Sequence, residues 1–206
     1  STESLVTVVL NTGMQTYGGD LYVGSITIIQ SIMQMIVMPT QGITQGVQPI
    51  MSYNYGAKNY RRVRQTFKRL LAVTMTVTCS AFVMVALIPG VLARIFTPEQ
   101  ELIQLVSRVM PLFFGGIWAF GAQMACQSTF MALGQARTSL FLALLRKIIL
   151  LIPLIYILPN FFADKVFAVF LAEPISDFIA ASTTFTLFRR RFNKVLNERE
   201  SLLEHQ

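Results

Sequence analysis

Long apolar segments alternate with short polar segments along the whole chain. The apolar segments predict six helices, at about residues 1–17, 21–52, 69–88, 102–133, 138–158 and 165–188. Most of them reach or approach the ~20 residues that a membrane span needs. None shows the period-two alternation of a half-buried strand. The pattern therefore predicts an all-α integral membrane protein with a six-helix bundle, followed by a basic tail at residues 189–206.

Glycine, proline and polar residues predict where the helices are interrupted. Residues 53–59, which include Gly56, predict a polar hinge, and residues 91–100 predict a short connection. Within the fourth helix, Gly115 and Gly116 predict a bend.

The composition supports a membrane protein. The 206 residues are 53% hydrophobic and 13% charged, whereas soluble domains carry about 25% charged residues. So few charges would not cover the surface of a soluble globular domain. The chain starts at Ser1 inside an apolar segment, without a methionine or a signal peptide. We interpret it as a piece of a longer protein, with its first helix truncated.

The basic residues predict the orientation in the membrane. The formal net charge is +7, and two sets of loops differ in sign. One set is basic: Lys58, Arg61, Arg62, Arg64, Lys68, Arg69, Arg137, Arg189, Arg190, Arg191, Lys194 and Arg199. The alternate set is mixed: Asp20, Arg94, Glu99, Glu101, Asp164 and Lys165. Because basic loops stay on the cytoplasmic side, a multi-pass protein of the plasma (inner) membrane with a cytoplasmic C-terminus is predicted. The same distribution argues against a nucleic-acid partner.

Charged residues inside predicted spans are candidates for function. Each costs at least ~2.5–3.5 kcal/mol at mid-bilayer on insertion scales. Five of them require a partner, water or a role: Glu3, Arg146, Lys147, Glu173 and Asp177. Residues four apart share a helix face, which groups Glu3 with Thr7 and Asn11 on the first helix. The sixth helix likewise carries Glu173, Asp177 and Thr184 on one face.

Glutamines form the most regular polar pattern. Five on the second helix fall within roughly a 60° sector at 100° per residue: Gln30, Gln34, Gln41, Gln45 and Gln48. The fourth helix adds Gln123, Gln127 and Ser128. Polar stripes on several helices can enclose a wet cavity, although glutamines in membranes also hydrogen-bond between helices. A structural ion pair of Glu173 with Arg146 or Lys147 is a further alternative.

The sequence lacks the residues of an intramembrane enzyme. Cys79 and Cys126 lie in predicted helices without metal-ligand spacing, and the single histidine, His205, lies in the tail. No nucleotide-binding glycine loop or serine–histidine pairing is present. We therefore predict no catalytic residue and no cofactor.

Four segments resemble the multidrug and toxic compound extrusion (MATE) family, in particular its MepA-like bacterial branch. They are GITQGVQPIMSYNYGAKNYRRVRQ (42–65), FMALGQARTSLFLALLRKIILLIPLIYILP (130–159), AEPISDF (172–178) and STESLVTVVLNTGMQTYGGD (1–20). The likeness covers essentially the whole chain. It implies a two-lobed antiporter of twelve helices, of which this chain is the C-terminal lobe, helices seven to twelve, with the N-terminal six-helix lobe missing.

The resemblance also implies a function and a site. Members of the family export organic cations and other drugs in exchange for Na⁺ or H⁺, so cationic drugs and the lipid membrane are expected partners. Glu3 matches a seventh-helix acidic position that couples cations in some members, which makes it a possible Na⁺ ligand. The matching tenth-helix segment, residues 121–123, has no carboxylate. The predicted substrate and cation contacts are Glu3, Thr7, Asn11, Gln30, Gln34, Gln123, Gln127, Glu173 and Asp177.

The alternative function is a lipid-linked oligosaccharide flippase of the same superfamily. Such a protein would line its cavity with several arginines for a pyrophosphate. Here Arg146 and Lys147 are the basic residues predicted inside a span, which disfavours this alternative.

Overall fold

The computed structural model describes the backbone of residues 2–204 and the side chains of residues 6–16, 19–192 and 194–195. Within that part the chain is helical, with short turns between helices. The α-helices are α1 (Thr2–Gly18), α2 (Asp20–Gly56), α3 (Tyr60–Leu87), α4 (Pro89–Phe96), α5 (Gln100–Phe113), α6 (Ile117–Ala132), α7 (Ala136–Leu144), α8 (Ile152–Ile157) and α9 (Lys165–Glu204).

Five helical stretches of the described chain are long and apolar enough to cross a membrane: Asp20–Gly56, Tyr60–Leu87, Gln100–Ala132, Ala136–Asn160 and Lys165–Phe192. The helix α1, with 17 residues, packs beside them against α2, α8 and α9. The predicted all-α membrane fold with one six-helix lobe is therefore confirmed.

Two spans contain irregular turns. A 3₁₀ turn at Phe114–Gly116 separates α5 from α6, where the glycines predicted a bend. A π-helical segment, Leu145–Leu151, separates α7 from α8 and was not predicted. Pro153 lies in the first turn of α8 and has no N–H to donate to the preceding turn, which favours the wider helix. Such π segments occur frequently at functional sites.

Several helix ends differ from the predicted ones. Helix α2 continues to Gly56, so the turn occupies only residues 57–59 of the predicted 53–59 hinge. Helix α4 occupies a segment that was predicted as a connection. Helix α9 continues from the sixth span to Glu204 instead of ending at residue 188. Its extension is rich in arginine, lysine, leucine and glutamate, which favour helix, and polarity alone does not end a helix.

An aromatic cluster joins one end of the bundle. The Phe188 ring stacks on the Phe67 ring at 4.4 Å and on the Phe192 ring at 4.6 Å, between ring centroids. Tyr60 and Phe130 are buried in the same cluster. These contacts bring the start of α3, the end of α6 and the end of the α9 span together. Because the basic loops adjoin these helix ends, we call this end of the bundle the basic end.

Candidate functional site

An open cavity of about 570 Å³ lies between α1, α2, the end of α5, α6, α7, the π-helical segment and α9. Apolar side chains such as Met33, Phe113, Phe120 and Met124 form part of its wall. Polar side chains form the rest: Thr7, Thr27, Gln30, Ser31, Gln34, Gln41, Gln123, Gln127, Arg146, Lys147 and Glu173. The cavity therefore has the mixed apolar and polar lining of a small-molecule site.

Six of the nine residues predicted for the site lie together on this cavity: Thr7, Gln30, Gln34, Gln123, Gln127 and Glu173. Asn11 and Asp177 lie on the same helices but are not among the lining residues. The side chain of Glu3 lies outside the described residues, so its predicted role stays a prediction.

The glutamine stripe of α2 lines the cavity only in part. Gln30, Gln34 and Gln41 contribute to the wall, whereas Gln45 is exposed outside it. The helix has 37 residues, which at 1.5 Å per residue make about 55 Å. A helix of that length extends past the cavity towards the basic end, so one shared face does not imply one shared environment.

Gln123 is the most deeply buried glutamine of the site. It is 2% exposed, and its Oε1 has no hydrogen-bond partner among the described residues. Buried acceptors without a partner are rare in folded proteins. Gln123 lines the cavity, so its Oε1 can accept a hydrogen bond from a water molecule or a ligand donor that reaches it.

A buried ion cluster forms another part of the wall. Arg146, from the π-helical segment, donates from Nη2 to Glu173 Oε1 at 3.1 Å and from Nε to Asp177 Oδ1. The three residues are 6%, 7% and 1% exposed, respectively. Charges can be buried to this degree when they are paired and hydrogen-bonded. The sequence left a structural pair with Arg146 open as an alternative, and the structure contains it.

Three neighbours hold the cluster in place, and none of these contacts was predicted from the sequence. Ser176 Oγ donates to the main-chain oxygen of Arg146 at 2.9 Å. The guanidinium carbon of Arg146 lies 4.5 Å from the centre of the Phe120 ring, within the range of a cation–π contact. A Cβ on Gly116 would lie 2.7 Å from Asp177 Cβ, so glycine permits this close approach of α9.

The two carboxylates of the cluster differ in what they face. Glu173 lines the cavity, and its Oε2 is buried without a hydrogen-bond partner among the described residues. Asp177 does not line the cavity and lies against Gly116. Chemically, Glu173 Oε2 can accept a proton or contact a cation that reaches it, while Oε1 stays bonded to Arg146.

Arg108 corrects the prediction that Arg146 and Lys147 are the basic residues inside spans. It lies in α5, within the span Gln100–Ala132, but it is exposed and does not line the cavity. Among the described side chains, no group of three or more His, Cys, Asp or Glu residues could hold a metal ion.

The family model of MatE matches residues 1–157. This chain belongs to the MatE family. The predicted family is thereby confirmed. The multidrug export protein MepA of Staphylococcus haemolyticus (strain JCSC1435) is 22% identical over 200 residues, which are 96% of this chain and 42% of that protein.

Two solved structures extend the comparison. The MATE multidrug transporter DinF-BH, solved as a complex, has a TM-score of 0.78 at 36% identity, over 92% of this chain and 42% of that chain. An outward-facing multidrug resistance MATE family transporter of the MOP superfamily has a TM-score of 0.88 at 18% identity, over 96% and 44%. This MatE chain thus spans less than half the length of these relatives.

Proposed function

We propose that this MatE chain is the C-terminal lobe of a secondary active transporter that exports cationic drugs in exchange for Na⁺ or H⁺. One observation carries the proposal: a cavity of about 570 Å³, lined by glutamine and hydroxyl residues of α1 and α2 and by Glu173 of α9, lies inside a bundle of spanning helices. Polar and ionisable side chains inside spanning helices are costly, and such residues mark substrate or ion pathways.

The size and lining of the cavity fit a drug-sized organic cation. Ligand sites commonly enclose ~300–1,000 Å³. The rings of Phe113 and Phe120 offer flat apolar surface, and the thioethers of Met33 and Met124 adapt to ligands of different shape. Glutamine amides can donate or accept hydrogen bonds, so one wall can orient substrates that differ in polarity.

Glu173 is the residue proposed to couple the two cargoes. Arg146 already pairs with its Oε1, but its Oε2 is buried and lacks a hydrogen-bond partner among the described residues, and a buried acceptor without a partner is costly. A proton, a Na⁺ ion or the positive group of a drug can each compensate it. A drug and a coupling ion that both require Glu173 Oε2 compete for it. Such competition at one site is the basis of antiport.

Asp177 is proposed to position Arg146 rather than to contact the cargo. It binds Arg146 Nε from behind the cavity wall. Glu3, Thr7 and Asn11 are proposed to supply further oxygen ligands from α1, among which Thr7 lines the cavity. Glu3 remains the proposed Na⁺ ligand.

The proposed assembly needs a second lobe and an orientation. The missing N-terminal six-helix lobe would close the open side of the cavity, and rocking of the two lobes would alternate its access. We place the basic end and the C-terminus in the cytoplasm of a plasma membrane, because basic loops remain on that side. Residues 189–206 would then form a cytoplasmic basic extension.

The flippase alternative receives less support. Its anionic lipid-linked substrate would need several cavity cations, and Arg146 already bonds to two carboxylates. Lys147 is the other cation of the lining, and the remaining polar residues are amides, hydroxyls and Glu173, whose oxygens suit a cation.

Ethidium efflux from cells distinguishes the possibilities. The full-length gene is expressed in a strain without its own drug pumps, and a Na⁺ gradient or a pH gradient is imposed separately on ethidium-loaded cells. We expect efflux that follows one gradient, which identifies the ion. A protein that is present in the membrane but gives no efflux under either gradient contradicts drug antiport.

A further inference from the structure

A second cavity lies at the basic end, apart from the central one. It has a volume of about 590 Å³ and is open to the outside. One wall is the turn after α6 and the first residues of α7, Gly134 to Thr138. The other wall is α9, through Arg191, Lys194 and Val195. It shares no lining residue with the central cavity.

The charge of this pocket has one sign. Three of its eight lining residues are cationic, namely Arg137, Arg191 and Lys194, and none of the eight is acidic. The pocket also includes the N-terminus of α7, where Gln135 at the N-cap position makes no side-chain capping bond. The N–H groups of Thr138 and Ser139 bond to the main-chain oxygen of Gln135, and the start of the helix carries the positive end of its dipole. Cations and amide groups together form an anion site.

One contact preorganises the pocket. Arg191 Nη1 donates to Thr138 Oγ1 at 3.0 Å, which holds the guanidinium of α9 beside the first turn of α7. A guanidinium has five N–H donors, and this bond engages one of them. Its planar fork is suited to the oxygens of a phosphate group.

The position of the pocket favours a lipid over a dissolved anion. Arg191 falls in the last turn of the apolar span Lys165–Phe192, at the level where headgroups meet the ends of spans. One helical turn from Arg137, Phe141 is 51% exposed and shares its helix face. A ligand with a phosphate and an acyl chain can contact both the cations and this apolar side chain.

We propose that this pocket binds the phosphate group of an anionic membrane phospholipid. The lipid would link α9 to the turn between α6 and α7, and so would hold the last span of the lobe against its centre. Basic pockets between transmembrane helices are a known type of site for anionic headgroups. The proposal does not depend on which substrate or ion is transported.

Lipid titration of the full-length transporter in detergent, followed by native mass spectrometry, measures this binding. The probe is phosphatidylglycerol, with phosphatidylcholine as the zwitterionic reference. The pocket variant is Arg137→Gln/Arg191→Gln/Lys194→Gln. The matched control, Lys58→Gln/Arg61→Gln/Arg62→Gln, removes three exposed charges of the basic end that lie outside the pocket.

We expect the pocket variant to weaken phosphatidylglycerol binding about tenfold or more, and the control to weaken it less than about twofold. Phosphatidylcholine binding should be the same in all three proteins. Equal losses in both variants would indicate general surface attraction and overturn the proposal, as would no loss in either.

Two additional measurements distinguish lipid binding from phosphate binding and from loss of the fold. Inorganic phosphate at millimolar concentration should not displace phosphatidylglycerol, and displacement would identify a site for free phosphate instead of lipid. If the triple variant does not fold, Arg191→Lys alone preserves the charge and removes the fork, so a partial loss of affinity is expected. Unchanged affinity in Arg191→Lys and in Arg137→Gln would then contradict the proposal.

Discussion

The two walls of the central cavity solve the burial of polar groups in different ways. The wall of α2 and α6 consists of uncharged amides, and Gln123 Oε1 has no partner among the described residues. The wall of α9 and the π-helical segment carries the charges of Arg146, Lys147 and Glu173. Arg146 bonds to Glu173 and, behind the wall, to Asp177. The amides of the first wall can exchange hydrogen-bond partners, whereas the charges of the second wall are held by their ion pairs.

This difference assigns different tasks to the walls. A hydrogen bond of a neutral amide contributes only ~0.5–1.5 kcal/mol net, so a wall of glutamines can accept varied ligands. A buried charge that loses its partner costs ~3–5 kcal/mol, so the charged wall can respond only to a ligand that replaces the missing charge. In the proposed transporter, breadth of substrate and coupling to a cation would thus be separated in space.

Removal of Arg146 is expected to have the largest effect. Arg146→Gln leaves Glu173 and Asp177 buried side by side without their shared cation, at a cost of ~3–5 kcal/mol. The purified full-length protein should lose thermal stability in fluorescence-detected size-exclusion assays. Arg108→Gln, which removes an exposed cation of α5, is the control and should melt like the wild type. An unchanged melting temperature for Arg146→Gln would mean that the cluster does not stabilise the fold.

Substitution of the cavity-facing carboxylate is expected to abolish coupling while the fold is kept. Glu173→Gln retains a group that can bond to Arg146 and removes the charge on the cavity side. Gradient-driven ethidium efflux should fall about tenfold or more, because a hydrogen-bonded charge contributes ~1.5–3 kcal/mol, while the membrane level stays normal. Asp177→Asn should instead lower thermal stability together with efflux. Normal efflux in both variants would exclude the cluster from transport.

The close approach behind the charged wall is expected to be sensitive to a single methyl group. In Gly116→Ala the new Cβ would lie 2.7 Å from Asp177 Cβ and 3.1 Å from Pro174 Cα, and overpacking of this kind costs ~1–3 kcal/mol. Gly42→Ala adds the same methyl group to α2, where no atom lies within 4 Å. The melting temperatures of the two variants are compared, and Gly116→Ala should melt at the lower temperature. Equal melting temperatures would mean that α9 can move away without cost.

Single glutamines of the flexible wall are expected to have the smallest effects. Gln34→Ala removes one lining amide and should change the concentration of ethidium at half-maximal efflux a few-fold, in line with ~0.5–1.5 kcal/mol for one hydrogen bond. Gln45→Ala removes a glutamine from the same stripe outside the cavity and should leave it unchanged. Equal changes in half-maximal ethidium concentration for the two variants would contradict the placement of Gln34 inside the cavity and Gln45 outside it.

Much of the fold could be predicted because membrane insertion acts on local sequence. The length of each apolar segment predicts a span, and the glycines at residues 115–116 predicted the irregular turn that the structure contains. Helix ends were predicted less well, since α9 continues to Glu204. A helix ends where capping and packing end it, and both depend on neighbours that are distant in sequence.

By itself, the sequence determined the class of the protein, its family and the polar residues that membrane burial makes costly. Only the tertiary structure decided which of those residues meet. Glu173 and Asp177 share one face of α9. That shared face did not reveal that Glu173 lines the cavity whereas Asp177 lies against Gly116. Nor did the sequence predict the π-helical segment that presents Arg146 to both. Helical periodicity determines which residues share a face of one helix. Which residues of another helix they contact is determined only when the two helices pack together.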